Sequence, residues 1–446
     1  MPATSFIVVS DLHLADGHAV LEGFGPQQQS ALDGILQATL PGGALGNTTT
    51  PATLIINGDC FEFLALPPYP EDGCITPAIA LTKLEKIASA HQPFFQTLHD
   101  FLSQGGHVAF LAGNHDIELC FKEIRSRVTN LIGHDRGLHF VLDQGYKPLP
   151  DVYIEHGGQY DFWNYADGIW NKQGNSLNEA PESIMLPLGT QYMNLAASSI
   201  NLRYPYFDHF DPLMSTTRQI ALLSLLDPGL IRETAQRTVD MMSVTYPLPE
   251  GGESAALLFE KVLPTFVAFQ QDMLARLPIW PDIEETFSSA DERNQNQAYA
   301  LSEFFTLRMA LEQAPETALQ AIFQPASPPV ADDTARGMYS VLRAHPELRV
   351  AVAGHTHSVR SDLFATERQL YLNTASWIKR YAPPIPEQLT PEMLTWLRQP
   401  DMASVPLQDK SGCVFAWIRA QPGQASLASL CVWEGGKDGK HRVLDV

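Results

Sequence analysis

The sequence has no uncharged apolar run of about 18 residues, the length a membrane-spanning helix needs, and no transmembrane segment is expected. Basic residues are also scarce: 29 Lys and Arg stand against 50 Asp and Glu, a formal net charge of −21. Such a chain repels polyanions at long range, which weighs against duplex nucleic acid and anionic membranes as partners. The five cysteines, Cys60, Cys74, Cys120, Cys413 and Cys431, are widely spaced and odd in number. That pattern fits a reducing compartment better than a disulfide framework. Near Met1 no basic stretch leads into an apolar core and cleavage site, so no secretory leader is expected and the cytoplasm is the expected location.

What the sequence does contain is a set of short apolar runs that stop abruptly at polar residues. Leu54-Ile55-Ile56 runs through Asn57-Gly58 into Asp59, and Phe6 to Ser10 runs into Asp11-Leu12-His13. Val108 to Leu111 leads to Gly113-Asn114-His115-Asp116, Val152 to Glu155 leads to His156-Gly157, and Leu348 to Ala353 leads to Gly354-His355-Thr356-His357. Short apolar runs of this kind read as strands buried on both faces, and open α/β sheets place their ligands beyond the carboxyl ends of such strands. Asp, Asn and His without a thiolate suit Mn, Fe, Zn or similar divalent ions.

Alternation along a strand would place Asp11 and His13 on one face, and His355 and His357 likewise. Asp11, His13, Asp59, Asn114, His156, His355 and His357 are enough ligands for two divalent metal ions. Two such ions, roughly 3.5–4 Å apart, need an anionic bridge against their mutual repulsion, which a bidentate carboxylate such as Asp59 can provide.

In order along the chain, these blocks resemble those of the calcineurin-like metallophosphoesterases: Asp-x-His, Gly-Asp-x-x-Glu, Gly-Asn-His-Asp, a lone His before Gly, and Gly-His-x-His. The resemblance covers about 5–158 and 346–380. It implies a first metal held by Asp11, His13, Asp59 and His357, and a second held by Asp59, Asn114, His156 and His355. It also implies that His115 acts beside the metals on the phosphoryl or leaving oxygen, that Asp116 orients His115, and that Glu62 stands behind the ligands. Asn373 and Ser376, in a turn after the next strand, are candidates to support the site. Among bacterial relatives the nearest resemblance is to UDP-2,3-diacylglucosamine hydrolase, which also begins Asp-Leu-His-Leu. This chain departs from it with His115 in place of an arginine and with a much longer insert.

The expected fold is α/β, a four-layer α/β/β/α metallophosphoesterase sandwich with a large inserted helical cap. Residues 1–158 would begin the core, 159–345 would form the cap, and 346–446 would complete the core. Thr76-Pro77 opens a helix that, with the strands on either side, reads as a βαβ crossover. Helices are expected at about 27–40 and 117–131, and in the insert at about 184–202, 216–226, 228–244, 255–277 and 299–323. Cys413 to Arg419 and Ala425 to Trp433 read as antiparallel edge strands that would complete the second sheet. Where the insert leaves the site, Tyr160, Asp161, Trp163 and Asn164 are candidate substrate contacts, and Asp161 or Asn164 could instead support a metal ligand.

The chemistry expected of this set is attack by metal-activated water on phosphorus, most simply at a phosphodiester or pyrophosphate bond of a small molecule or of a lipid or nucleotide conjugate. A phosphomonoesterase, a nuclease and a non-catalytic scaffold of the same fold are the alternatives. The scaffold would lack ligands that are all present here, and the nuclease would want a basic groove.

Overall fold

The computed structural model describes residues 4–18, 23–46, 51–70, 73–161, 182–192, 203–210, 332–364, 368–384, 388–402, 404–420, 423–435 and 440–444, with single positions between 164 and 237. The expected insert helices from 216 to 323 lie almost wholly outside the described residues, as does Trp163.

The apolar runs named above are strands: β1 (Thr4–Val9), β2 (Thr53–Asn57), β4 (His107–Leu111), β7 (Val152–Ile154) and β9 (Val350–Ala353). The other strands are β3 (Cys74–Ile75), β5 (Leu138–Val141), β6 (Tyr146–Leu149), β8 (Ile184–Met185), β10 (Val359–Phe364), β11 (Gln369–Thr374), β12 (Val414–Ala420), β13 (Leu427–Gly435) and β14 (Lys440–Val443). The helices are α1 (Pro26–Thr39), α2 (Pro77–Ala90), α3 (Gln92–Ser103), α4 (Lys122–Ile132), α5 (Leu188–Tyr192), α6 (Asp333–Ala344) and α7 (Pro391–Arg398).

One sheet runs β14-β13-β12-β1-β2-β4-β5 and the other β10-β11-β9-β7-β6. β1, β2 and β4 are parallel neighbours, and α2 with α3 forms the expected crossover between β2 and β4. Thr76 caps α2 by accepting from Ile79 N–H, and Pro77 follows at the first helical position. The crossover breaks between α2 and α3 at His91, just before Pro93, whose ring cannot continue a helix interior.

Alternation sorts the core into layers. Ile7, Val9, Leu54, Ile56, Val108 and Phe110 pack with residues of α1 to α4, whereas Val8, Ile55, Ala109 and Leu111 pack with Val152, Ile154, Val350, Val352 and Leu372 of the second sheet. On the far side, Ala351, Ala353 and Tyr371 meet Ala335, Met338 and Leu342 of α6. Helix, sheet, sheet, helix is the order expected.

Two expectations are corrected. The C-terminal strands complete the first sheet, because β12 pairs antiparallel with the free edge of β1 and β13 and β14 follow outward. Ile184, expected to be helical, lies in β8, which pairs with β3.

The chain divides into two compact units, Met1–Thr190 with Ala331–Lys379 and Ser411–Val446, and Gln191–Val330 with Arg380–Lys410. The expected insert bounds of 159 and 345 therefore differ from the unit boundaries: α6 packs on β9 and β11 in the first unit. The second unit has its own apolar cluster, in which Tyr204, Tyr206, Phe207 and Phe210 meet Met393 and Leu397, and Tyr206 Oη donates to the Leu397 carbonyl at 2.8 Å.

Candidate metal centre

β1 ends at Val9 and β9 at Ala353, so Asp11, His13, His355 and His357 stand beyond their strands rather than on strand faces. They are brought together by backbone turns: Asp11, His13, Asp59, His355 and His357 have φ of +54°, +49°, +51°, +69° and +55°. Left-handed conformation in residues with a Cβ costs energy and persists only where the surroundings enforce it. Here the loops lock one another. Asp11 N–H donates to the Gly58 carbonyl and His13 N–H to the Asp59 carbonyl, while Trp377 N–H and Ser376 Oγ donate to the Asp11 carbonyl. Asn373 Nδ2 donates to the Gly354 carbonyl at 2.7 Å and its Oδ1 accepts from Ala375 N–H, so Asn373 and Ser376 both support the site.

The candidate ligands converge in two groups. In the first, His13 Nε2 lies 3.0 Å from His357 Nε2, 3.9 Å from Asp11 Oδ1 and 4.0 Å from Asp59 Oδ2, and His357 Nε2 lies 3.2 Å from Asp11 Oδ1. In the second, His156 Nε2 lies 3.0 Å from Asp59 Oδ2 and 3.1 Å from Asn114 Oδ1, which is 2.9 Å from His355 Nδ1. Asp59 Oδ2 belongs to both. Bonds of about 2.1 Å in an octahedron put neighbouring donors about 3.0 Å apart and opposite donors about 4.2 Å apart, which these spacings match. Asp11, His13, Asp59 and His357, and separately Asp59, His156 and His355, can each hold an ion.

Hydrogen bonding fixes which ring nitrogens carry a lone pair. His156 Nδ1 donates to the Asn57 carbonyl at 2.9 Å, and His13 Nδ1 donates to Glu62 Oε2 at 2.7 Å. Each contact reserves Nε2 for the cluster, the arrangement that metal-binding histidines use. Carboxylate oxygens, an amide oxygen and lone-pair nitrogens all meeting in a buried space require a cation or protons between them. The ionisation of the groups shows the same demand. Burial works against charge on His156, yet Asp59 and Asp11 outweigh it and raise its pKa to about 9. Burial likewise opposes ionisation of Asp59, but His156, His115 and His13 hold its carboxyl well below the usual range.

Glu62 Oε2 also accepts from His115 Nδ1 at 2.7 Å. One carboxylate oxygen thus holds a ring of the first group and the ring of His115, with the two rings edge to face at 4.6 Å. Burial disfavours the His115 imidazolium, but Glu62, Asp59 and Asp11 raise its pKa to about 10. The expectation that Asp116 orients His115 is corrected by this contact. Asp116 instead accepts from the backbone N–H groups of Asp59, Cys60, Phe61 and Gly113, tying the β2 turn to the β4 turn. Burial and the charge of Asp59 raise its pKa to about 6.

Of the two Asp59 oxygens, Oδ1 accepts from His115 N–H at 2.8 Å and Oδ2 lies near both groups. Glycine is required beside it: a Cβ at Gly113 would collide with Asp59 Oδ1, and one at Gly58, whose φ is +79°, would collide with the His156 ring.

Of the candidate substrate contacts, Tyr160 is buried and packs with Ala335 and Met338. Asp161 Oδ2 is 3.2 Å from His355 Nε2, and Asn164 Oδ1 accepts from Asn114 Nδ2 at 3.1 Å. Glu155 points away from the cluster, as alternation requires, and its Oε2 accepts from Tyr153 Oη at 2.7 Å.

Two sheets whose strand ends gather these donors around Asp59 define a protein with side-chain clusters that could hold metal. Residues 4–197 match the family model of the calcineurin-like phosphoesterases, and the match supports a phosphoric-ester hydrolase. The match ends before His355 and His357, which the fold brings to the same place. No curated protein matches the chain, so the resemblance to UDP-2,3-diacylglucosamine hydrolase gains no support. Similar solved structures include a dimetal phosphatase from Danio rerio, 12% identical, covering 99% of each chain with a TM-score of 0.34. A phosphopantetheinyl hydrolase from Mycobacterium tuberculosis is 12% identical over 90% of this chain and 98% of its own, with a TM-score of 0.25. A mutant cold-active protein tyrosine phosphatase is 10% identical over 99% and 80%, at 0.26. Among the described residues, no helix is long and apolar enough to cross a membrane.

Proposed function

We propose that this chain is a dinuclear-metal-dependent phosphoester hydrolase. The observation that carries the reading is the shared position of Asp59 Oδ2, 3.0 Å from His156 Nε2 in one group and 4.0 Å from His13 Nε2 in the other. Asp11, His13, Asp59 and His357 would hold one ion, and Asp59, Asn114, His156 and His355 the other. Mn, Fe and Zn suit these nitrogen and oxygen donors. When bound, two such ions activate a water and offset the charge that develops on the phosphoryl oxygens.

The residues around the ions supply the rest. His115 keeps Nδ1 on Glu62 and offers Nε2 to the leaving oxygen, to which it gives a proton. Its backbone N–H holds Asp59 Oδ1 in place, so the acid and the shared ligand are set by one residue. A phosphodiester or pyrophosphate bond is the target we propose; a proton given to the leaving oxygen serves either, as it would a monoester. A small molecule or a lipid or nucleotide conjugate is the substrate class we propose. The described cysteines are all free thiols, which supports a cytoplasmic setting.

The test is hydrolysis of bis-p-nitrophenyl phosphate beside p-nitrophenyl phosphate by protein stripped of metal and then given manganese. Cleavage that returns with manganese and is lost in Asp59→Ala supports the reading, and faster cleavage of the diester supports the substrate class. Protein with two manganese ions bound that cleaves neither ester, nor any pyrophosphate offered, contradicts it.

A further inference from the structure

Asp161 and Asn164 follow β7 and His156 by only a few residues, and neither belongs to a motif block. Both reach ligands of the second group from behind. His355 presents Nδ1 to Asn114 Oδ1 at 2.9 Å, and Asp161 Oδ2 sits 3.2 Å from its other nitrogen, Nε2. The carboxylate thus reserves the ring hydrogen for Nε2 and leaves the Nδ1 lone pair facing the cluster.

Asn164 does the corresponding work on Asn114. It accepts from Asn114 Nδ2 through Oδ1 at 3.1 Å, which turns Asn114 Oδ1 toward His156 and His355 and prevents the amide from flipping. Asn164 Nδ2 in turn donates to Asp161 Oδ2 at 2.6 Å. The chain of contacts runs His355, Asp161, Asn164, Asn114, so that two ligands from distant strands are held by one short segment.

That segment is fastened to α6, the helix that leads into β9 and His355. Thr334 Oγ1 donates to the Gly157 carbonyl at 3.1 Å, and Tyr160 lies so close to Gly337 that a Cβ there would strike its ring. Asp161 N–H donates to the Gly158 carbonyl and Asn164 N–H to the Asp161 carbonyl, continuing the turn.

We propose that Asp161 and Asn164 are positioning residues for the second metal ion, forming a strap that sets the Nδ1 lone pair of His355 and the amide orientation of Asn114. This rests on the metal-centre reading above and assigns the two residues to the ion rather than to substrate. Loss of a carboxylate behind a metal-binding histidine weakens metal affinity by about 10–100-fold.

The test is manganese binding by the full chain, followed by calorimetry and electron paramagnetic resonance, for wild type, Asp161→Asn and Gly337→Ala. The wild type is expected to take two ions with coupled spins. Both variants are expected to bind one ion as the wild type does and to bind the ion among Asn114, His156 and His355 about 10–100-fold more weakly. Their spectra then show the six-line signal of an isolated manganese ion, while the metal-free melting temperature of Asp161→Asn stays at the wild-type value. If Asp161→Asn fails to fold, Asn164→Ala carries the same expectation. Variants that bind both ions as the wild type does, or that lose both alike, overturn the strap. A wild type that binds no manganese instead overturns the metal-centre reading on which the strap rests.

Discussion

Asp59 Oδ1 accepts the backbone N–H of His115 at 2.8 Å, which leaves Oδ2 as the only oxygen of Asp59 that faces both donor groups. The residue that binds and the residue that protonates are therefore coupled through the backbone. Asp59→Asn keeps the shape but offers a weaker, uncharged donor between two cations. It is expected to lose at least one bound ion by elemental analysis, with kcat falling at least about a hundredfold if the carboxylate is worth about 3 kcal/mol in the transition state.

Glu62 divides one oxygen between His13 and His115, so Glu62→Gln should act on both. General-acid catalysis contributes about 10²–10⁴-fold, and kcat should fall within that range while both ions remain bound. Loss of the Glu62 charge also lowers the pKa of His115. His115 acts protonated, and protonation is lost as pH rises through that value. The alkaline limb of the kcat/KM profile therefore moves to lower pH in the variant, a direction that a pH-rate series reads directly.

His156 sets the pH dependence of metal uptake. With its pKa raised to about 9 by the neighbouring carboxylates, the ring holds a proton at neutral pH that a cation must displace. Affinity for the second ion should rise up to about tenfold per pH unit below 9 and level off above it. Calorimetry in buffers of different ionisation enthalpy measures the released proton.

Glu118 makes a prediction about stability alone. Both its carboxylate oxygens are buried without a hydrogen-bond partner, and burial, only partly offset by Lys83, raises its pKa to about 8. The folded state keeps a proton that the unfolded chain releases near the ordinary value of 4.5. Stability from this group therefore falls as pH rises from 4.5 to 8, and the full penalty stands above 8. Glu118→Gln removes that dependence. Relative to wild type, it should be more stable at pH 9 than at pH 5 by on the order of a few kcal/mol in urea unfolding.

Much of the fold and of the site can be read from the sequence because both rest on local pattern. The apolar runs before Asp11, Asp59, Asn114, His156 and His355 are strands, and Thr76-Pro77 starts a helix. Each ligand block is short and weak by itself, and it is the five in order that make the pattern recognisable. What the pattern does not carry is where distant segments meet. Glu62 grips rings at positions 13 and 115, whereas the resemblance implies only that it stands behind the ligands. Asp116 follows His115 and invites pairing with it, yet its carboxylate satisfies four backbone N–H groups that no pattern advertises. Strand alternation fails for the Asp11–His13 and His355–His357 pairs because the chain leaves the sheet before reaching them and turns through left-handed conformations. A β-strand pattern also does not say which sheet a strand joins, and β12 goes to the free edge of β1.

On the proposed reading, two cations would share Asp59 Oδ2. A crystal grown with manganese, with data collected at a wavelength where manganese scatters anomalously, tests it most directly. The account predicts two anomalous peaks about 3.5–4 Å apart on either side of that oxygen, one among Asp11, His13 and His357 and the other among Asn114, His156 and His355. A single peak, or two peaks of which one lies away from Asp59, would contradict it.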